Sequence, residues 1–400
     1  MFDLVILVGG KGKRLGRITM RTPKPLIKIN NNNFLDILLS KLIKYNFKKI
    51  FLLCSYKKEK FFNIYHKKKI HHSKIICINE GKPKDTGGAL YKVKDKIKGS
   101  FFLLNGDSFL NLDLNLLSRN VQNDVVGTMA ITNNYNYKKN TKMNNLELLN
   151  SGLVRFSKKK TKLMNAGIYF FKKNVFKYIK NEKISLENDI LDKLISKNKL
   201  KGVYSKKEFI DIGTPKNLRY IKDNPYLFSP KTVFLDRDGV INKLNSSRYI
   251  ENFDQFRFLP GVKKGIKFLN KQNFLVIIIT NQACVGKSII SEKKLNDIHD
   301  KMKKALHSTN KSFIDDIFYS PYYKFSKNKK YRLLQFDRKP NPGMLLKAIK
   351  KWNLNKKDTF FIGDSVSDYN AAKKIGLKFY YKKTTSLYEQ LKIILNKWLI

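Results

Sequence analysis

The sequence predicts an α/β protein made of two doubly wound units, and three features predict it. Apolar runs of strand length alternate with amphipathic segments of helix length along most of the 400 residues. Glycines or carboxylates directly follow several of those runs, at the strand edge where open α/β sheets bind ligands. Midway, Asp223-Asn-Pro225-Tyr-Leu-Phe-Ser-Pro230 places two prolines just after a helical pattern, which marks a linker. The boundaries read as a first domain over 1–226, a linker over 227–230 and a second domain over 231–400. A chain of this length can bury two full cores.

In the first domain the strand candidates are Leu4–Val8, Ile50–Cys54, Ile75–Asn79, Phe101–Asn105, Val125–Thr132, Leu153–Phe156, Ala166–Phe171 and Phe209–Ile212. Helices are expected over Phe34–Tyr45, Thr86–Ile97, Leu186–Ile195 (capped by Ser185) and near Lys216–Ile221. The alternation argues for a parallel sheet. In the second domain strands are expected at Thr232–Leu235, Phe274–Thr280, Asp315–Tyr319 and Thr359–Ile362. Helices are expected near Val262–Leu269, Glu292–Leu306 and Pro342–Trp352.

Composition narrows the class. No apolar run approaches the ~20 residues needed to span a bilayer. The first residues enter a strand with no signal-peptide pattern. Cys54, Cys77 and Cys284 lack paired spacing, as reduced thiols in a cytoplasm do. A formal charge of +51 invites a nucleic-acid reading. The excess is nearly all scattered lysine, inflated together with asparagine and isoleucine. That is the imprint of an adenine/thymine-rich genome on a solvated surface, so no specific nucleic-acid partner and no membrane are expected.

The chemistry sits in two motif sets. The strand Leu4–Val8 runs into Gly9-Gly10-Lys-Gly12-Lys13-Arg14, followed by Pro23-Lys24-Pro25. A glycine turn after a strand brings backbone N–H groups close to phosphate oxygens, and a nearby Arg and Lys neutralise them. The spacing is neither the dinucleotide fingerprint nor the P-loop. Asp85-Thr-Gly-Gly88-Ala makes a second tight turn into a helix, and Asp107 and Asp211 each end a strand. In the second domain Asp236-Arg-Asp238-Gly follows the strand Thr232–Leu235. One carboxylate can attack phosphorus and the other can handle the proton. Thr280-Asn281 ends a strand with a hydroxyl, Arg338-Lys339-Pro supplies positive charge, and Gly363-Asp364-Ser-Val-Ser-Asp368 ends another strand with carboxylates.

The first set resembles the sugar-1-phosphate nucleotidylyltransferases, and within them the D-glycero-D-manno-heptose 1-phosphate guanylyltransferases. The resemblance implies a Rossmann-like sheet, with Gly9, Gly10, Gly12 and Arg14 on the triphosphate and Lys24 on the α-phosphate. It assigns Mg²⁺ to Asp107 and Asp211, and nucleotide or sugar contacts to Gly88, Asn165, Gly167 and Glu187. Glu187, in a first helical turn, also reads as a plain dipole partner. Lys159 is a candidate for the sugar phosphate. Lys13 departs from the threonine usual in this loop.

The second set resembles the haloacid dehalogenase-like phosphatases, and within them D-glycero-D-manno-heptose 1,7-bisphosphate 7-phosphatase. The interval from Asp238 to Thr280 holds one flap and one helix, so the domain is expected to be capless. The resemblance makes Asp236 the nucleophile and Asp238 the acid and base. It puts Thr280 and the Asn281 backbone on phosphoryl oxygens, and Lys339 between nucleophile and phosphate. Arg338 would grip the retained phosphate. Mg²⁺ would lie among Asp236, the Asp238 carbonyl and Asp364, with Asp368 in support. Relatives carry a structural zinc before the Arg-Lys-Pro segment. Here Ser320 through Asp337 holds neither Cys nor His, so no zinc is expected. Packing of Tyr319, Tyr322, Tyr323 and Phe336 is expected to order the loop instead.

The expectation is therefore a bifunctional enzyme of nucleotide-activated heptose synthesis, acting on sugar phosphates and a nucleoside triphosphate. Two readings stay open. One is the same pair of reactions on a mannose-type sugar, with a histidinol-phosphatase-like domain. The other is a polyanion binder with polynucleotide 3′-phosphatase activity. The base, the anomer and the oligomeric state leave no mark on the sequence.

Overall fold

In a computed structural model the chain separates into two compact units, Met1–Leu227 and Phe228–Ile400. The structure describes every residue except 31, 43, 44, 46, 71, 72, 83, 122, 123, 134–141, 160, 181, 228, 245–248, 273, 311, 334, 384, 385 and 397–400. The division falls inside the stretch bracketed by Pro225 and Pro230, where Phe228 lies outside the described residues.

The first unit is built on an eight-stranded sheet. Its spatial order is Leu200–Ser205, Gly127–Thr132, Met164–Phe171, Phe101–Asn105, Asp3–Leu7, Lys49–Cys54, Ser73–Asn79 and Lys69–Ile70. Leu4, Val5 and Ile6 are fully buried. A strand covered on both faces reads as a continuous apolar run, as Leu4–Val8 does.

The sheet is mixed rather than parallel throughout. Met164–Phe171 runs antiparallel to both Phe101–Asn105 and Gly127–Thr132. Its apolar residues are buried on both faces, so its pattern carries no sign of its direction. Val154–Phe156 pairs with Leu146–Leu148 in a separate two-stranded ribbon, and the outer strand is Leu200–Ser205. That strand mixes buried and half-buried positions, which blurs its signal.

The helix expected over Thr86–Ile97 is shorter, spanning Asp85–Tyr91. Beyond it, Lys92, Val93, Lys94 and Lys96 bond back three residues in tight turns. The helix expected to Tyr45 is described over Phe34–Leu42; residues 43 and 44 lie outside the described residues. Ser185 caps its helix as expected, with its hydroxyl accepting from the Asn188 N–H. That helix opens with a wide π-type turn, Leu186–Leu191, and continues over Asp192–Ser196.

The second unit has a five-stranded parallel sheet in the order Asp316–Ser320, Leu275–Asn281, Thr232–Leu235, Thr359–Gly363 and Lys378–Tyr381. The chain starts in the middle strand, moves outward one way, then returns to the other side. A crevice opens at such a switch point, beyond the carboxyl ends of the strands. Helices Val262–Lys271 and Leu387–Asn396 pack together beneath it around Val233, Leu235, Val276, Ile278 and Phe360. Burying each such side chain contributes about 1.5–3 kcal/mol. Beyond the expected elements, the unit adds the strand Lys378–Tyr381 and the helices Val366–Lys373 and Leu387–Asn396. Among the described residues, no helix is long and apolar enough to cross a membrane.

Candidate functional sites

The second unit gathers its charged residues at the switch point. Asp236 follows Thr232–Leu235, Thr280 lies in Leu275–Asn281, and Asp364 follows Thr359–Gly363. The Lys339 ammonium forms ion pairs with Asp236 Oδ1 at 2.8 Å and Asp368 Oδ1 at 2.5 Å, and donates to the Ile279 carbonyl at 2.9 Å. One carboxylate oxygen each from Asp236, Asp364 and Asp368 lie within 4.8 Å of one another. Such an all-oxygen set suits a hard divalent cation such as Mg²⁺. Burial pushes the Asp236 carboxyl up to about 7, Lys339 opposes that rise, and Asp368 and Asp238 add to it. Burial alone would lower the Lys339 pKa, but Asp236 and Asp368 raise it above the ordinary value. The ammonium therefore stays charged among the carboxylates.

The backbone makes room for this packing. Gly239 has φ +86°, and a Cβ there would sit 1.8 Å from Asp364 Oδ2. Ser365 caps the helix Val366–Lys373 and is bonded in return by Asp368, which fixes that carboxylate's direction.

Asp238 is held by three side chains. Arg237 donates to both its oxygens, Asn242 to Oδ1 at 2.9 Å and Gln282 to Oδ2 at 2.7 Å. Gln282 also donates to the Thr280 hydroxyl at 2.9 Å, which leaves that hydroxyl's own proton to be donated. The Asn281 side chain clasps the Lys339 backbone, donating to its carbonyl at 3.0 Å and accepting from its N–H at 3.1 Å. Arg338 is half-buried and donates to the Tyr322 carbonyl at 3.3 Å. Burial lowers its pKa, with Tyr249 opposing.

The loop before Arg338 is ordered differently from the expectation. Phe336 is 56% exposed, so it does not pack the loop. Glu292 gathers it instead: Tyr319 donates to Oε1 at 3.0 Å, and Lys330 and Tyr331 to Oε2 at 2.9 and 3.1 Å. A Tyr expected to pack apolarly here acts through its hydroxyl.

In the first unit the paired strands Ser108–Leu110 and Phe209–Asp211 bring Asp107 and Asp211 to one place. The Asp107 carbonyl accepts from the Ile212 N–H at 3.0 Å. Lys24 donates to Asp107 Oδ2 at 2.9 Å, and Arg14 lies 3.8 Å from Asp211 Oδ2. A Cβ on Gly213 would meet Asp211, Arg14 and Lys24 together, so all three converge there.

Gly12 has φ +68° and no room for a side chain beside Lys24 and Thr19, whereas Gly10 faces open space. A Cβ on Gly88 would collide with the Glu182 carbonyl, so Gly88 serves close packing. A cavity of about 290 Å³ is lined by Asn165, Gly167, Glu187 and Asp211, with Asn105 and Ser108. Gly167, at φ +71°, lies against Asn105. Glu187 accepts from the Thr86 hydroxyl at 2.8 Å. Lys159 is exposed and outside the cavity lining.

Several polar residues at these sites escaped sequence reasoning. Glu80 is buried against Gly9, whose Cβ would fall 2.6 Å from its Oε1, and burial pushes its carboxyl up to about 7. Its signal was an acid at a strand's carboxyl end, as for Asp107. Arg237, Asn242 and Gln282 stand inside the quoted motifs. His299 sits in the helix Glu292–Asn310 with no local pattern to betray it.

Comparison with known proteins divides the chain the same way. Residues 4–224 match the nucleotidyl transferase family, and residues 231–385 match the family described as polynucleotide kinase 3 phosphatase. A D-glycero-beta-D-manno-heptose-1,7-bisphosphate 7-phosphatase from Rhodopseudomonas palustris is 38% identical over 144 residues, 36% of this chain and 78% of that protein. A D-glycero-alpha-D-manno-heptose 1-phosphate guanylyltransferase from Campylobacter jejuni is 32% identical over 214 residues, 53% of this chain and 95% of that protein. The crystal structure of HddC from Yersinia pseudotuberculosis aligns at 27% identity and a TM-score of 0.48, covering 56% of this chain and 99% of that one.

Proposed function

Because the chain belongs to the nucleotidyl transferase family through its first unit and to the heptose-bisphosphate phosphatases through its second, we propose that it is a bifunctional enzyme of nucleotide-activated heptose synthesis. The second unit removes the 7-phosphate from D-glycero-D-manno-heptose 1,7-bisphosphate. The first unit joins the resulting heptose 1-phosphate to GMP drawn from GTP. The observation that carries this reading is the Asp236–Lys339–Asp368–Asp364 cluster at the switch point.

In the phosphatase, an Asp236 oxygen attacks phosphorus and the bond to the sugar oxygen breaks. Asp238 gives that oxygen its proton, so the sugar leaves as an alcohol. Asp238 then takes a proton from water as the water's oxygen attacks the aspartyl-phosphate, and inorganic phosphate leaves. Lys339 keeps the nucleophile and phosphoryl oxygens neutralised, and the Thr280 hydroxyl and Asn281 backbone N–H hold those oxygens. Arg338 clamps the phosphate that stays. Asp236, Asp364 and the Asp238 carbonyl, with Asp368 behind, would hold Mg²⁺, which would supply further positive charge to the phosphoryl group.

In the nucleotidylyltransferase, a phosphate oxygen of the sugar 1-phosphate attacks the α-phosphorus and pyrophosphate leaves. The attacking oxygen is already anionic and needs no base. Gly9, Gly10, Gly12 and Arg14 hold the triphosphate and Lys24 the α-phosphate. Arg14 and Lys24 exchange their carboxylate partners for phosphate oxygens, and Asp211 and Asp107 would then hold Mg²⁺, which would neutralise charge on the phosphates. Gly88 shapes the turn against which the nucleotide lies. Asn165, Gly167 and Glu187 line the cavity that takes the sugar.

The test is direct. The protein is incubated with heptose 1,7-bisphosphate, Mg²⁺ and each nucleoside triphosphate in turn, and products are identified by mass. GDP-heptose with one phosphate and one pyrophosphate released is the expected outcome. Turnover of a 3′-phosphorylated oligonucleotide in place of the sugar would overturn the assignment.

A further inference from the structure

Among the described residues Arg237 is the largest fully buried side chain, and it has no exposed surface. A buried cation is costly, and well-packed apolar residues often replace one without loss of stability. Its contacts indicate what it does. Nε donates to Asp238 Oδ1 at 3.2 Å, and Nη2 donates to Oδ1 at 3.0 Å and Oδ2 at 2.9 Å. The guanidinium thus wraps the carboxylate of the next residue, which keeps 21% of its side chain exposed. Behind it, Nη1 lies 3.2 Å from His299 Nε2.

A guanidinium can only donate. His299 Nε2 must therefore accept, and the ring is neutral with its proton on Nδ1. His299 is 3% exposed, in the helix Glu292–Asn310, with its ring 5.6 Å from that of Tyr319. A helix from the scaffold thereby braces the arginine that holds the second aspartate.

We propose that Arg237, braced by His299, is a positioning residue that fixes the Asp238 carboxyl where it can deliver a proton to the leaving oxygen. The inference rests on the phosphatase reading of this unit. Proton delivery matters in proportion to the basicity of the leaving group. An alkoxide leaves only with a proton, whereas p-nitrophenolate leaves without one. Loss of positioning therefore slows sugar phosphates selectively, while general damage to the fold or to phosphate binding slows every ester alike.

The experiment compares kcat/KM for heptose 1,7-bisphosphate and for p-nitrophenyl phosphate. The full chain is used, with the variants Arg237→Met, Arg237→Lys, His299→Leu and His299→Gln. Arg237→Met should lose on the order of 100-fold on the sugar phosphate, the scale of general acid catalysis, and less than about 5-fold on p-nitrophenyl phosphate. Arg237→Lys should fall between native and Met. His299→Leu should lose roughly 10-fold on the sugar phosphate alone. His299→Gln, whose amide oxygen still accepts from Arg237, should stay near native. If Arg237→Met is insoluble, the His299 pair decides the matter, with retained p-nitrophenyl phosphate turnover as its folding control. Equal losses on both esters would overturn the proposal. A native protein that hydrolyses neither ester would remove the phosphatase reading and the proposal with it.

Discussion

The two candidate sites differ in how far they are assembled before any ligand arrives. In the second unit one ammonium sits between two buried carboxylates, a third lies within 4.8 Å of them, and Asp368 is held by its capping contact with Ser365. In the first unit the charges pair off separately, Lys24 with Asp107 and Arg14 with Asp211, and Arg14 keeps 41% of its side chain exposed. In the proposed mechanism the phosphatase bonds its own carboxylate to phosphorus, which calls for geometry fixed in advance. The transferase only brings two substrates together, and its cations can wait on carboxylates until phosphates displace them. Rigidity is placed where the protein itself reacts.

Removing one carboxylate from each site should have the largest effect. Asp236→Asn should cut phosphate release by about 10⁴-fold or more and leave nucleotidyl transfer from supplied heptose 1-phosphate intact. Asp107→Ala should do the reverse. A folded variant that loses both activities would show the two sites are not independent.

Next in size is Arg338→Ala. Loss of a charge-assisted contact to the retained phosphate should cost about 1.5–3 kcal/mol, or roughly 10- to 150-fold in kcat/KM on the bisphosphate. The effect on a 7-monophosphate should be small. Matching losses on both substrates would place Arg338 at the reacting phosphate or in the fold.

Glu80 probes the looser site through stability. Its folded pKa, about 7, lies above the reference value of 4.5. The folded protein therefore binds this proton more tightly. The associated stability is complete below the unfolded value and is lost as pH rises through about 7. Glu80→Gln should stabilise the first unit at pH 8 by up to about 3 kcal/mol and have no effect at pH 4. Calorimetry across that range reads it, and a pH-independent difference would contradict it.

The smallest expected effect is none. Turnover of the bisphosphate with Mg²⁺ should survive zinc-selective chelators, and metal analysis should find no stoichiometric zinc. Tightly bound zinc at about one per chain would mean that ligands outside Ser320–Asp337 replace the missing Cys and His.

The comparison also explains what the sequence disclosed. The phosphatase set was legible because each proposed site residue directly follows a fully buried strand residue: Asp236 after Leu235, Thr280 after Ile279, Asp364 after Gly363. Strand ends are readable, and a switch point turns them into neighbours. The residues that hold those groups were not legible. His299 reaches Arg237 from a helix 62 positions away, and nothing local distinguishes it from any buried histidine. The direction of Met164–Phe171 stayed hidden for a related reason, since burial on both faces erases the alternation that separates one strand geometry from another. Phe336 shows the converse error. Its apolarity suggested packing, but the loop is tied by hydroxyls and an ammonium on Glu292 while Phe336 faces solvent.

That knot at Glu292 changes what the loop is vulnerable to. A clip of thiolates and a metal fails when the sulfurs are oxidised or the ion is chelated. Here three donors from two segments converge on one carboxylate, and its pKa is lowered first by Lys330, against burial, and then by Tyr319 and Tyr331. The ordering it provides is present above the ordinary carboxylate range and is lost as pH falls through the depressed value. High salt weakens the exposed Lys330 contact in the same direction. The tie on Glu292 is ionic, so acid or brine is the condition that should loosen the wall beside Arg338.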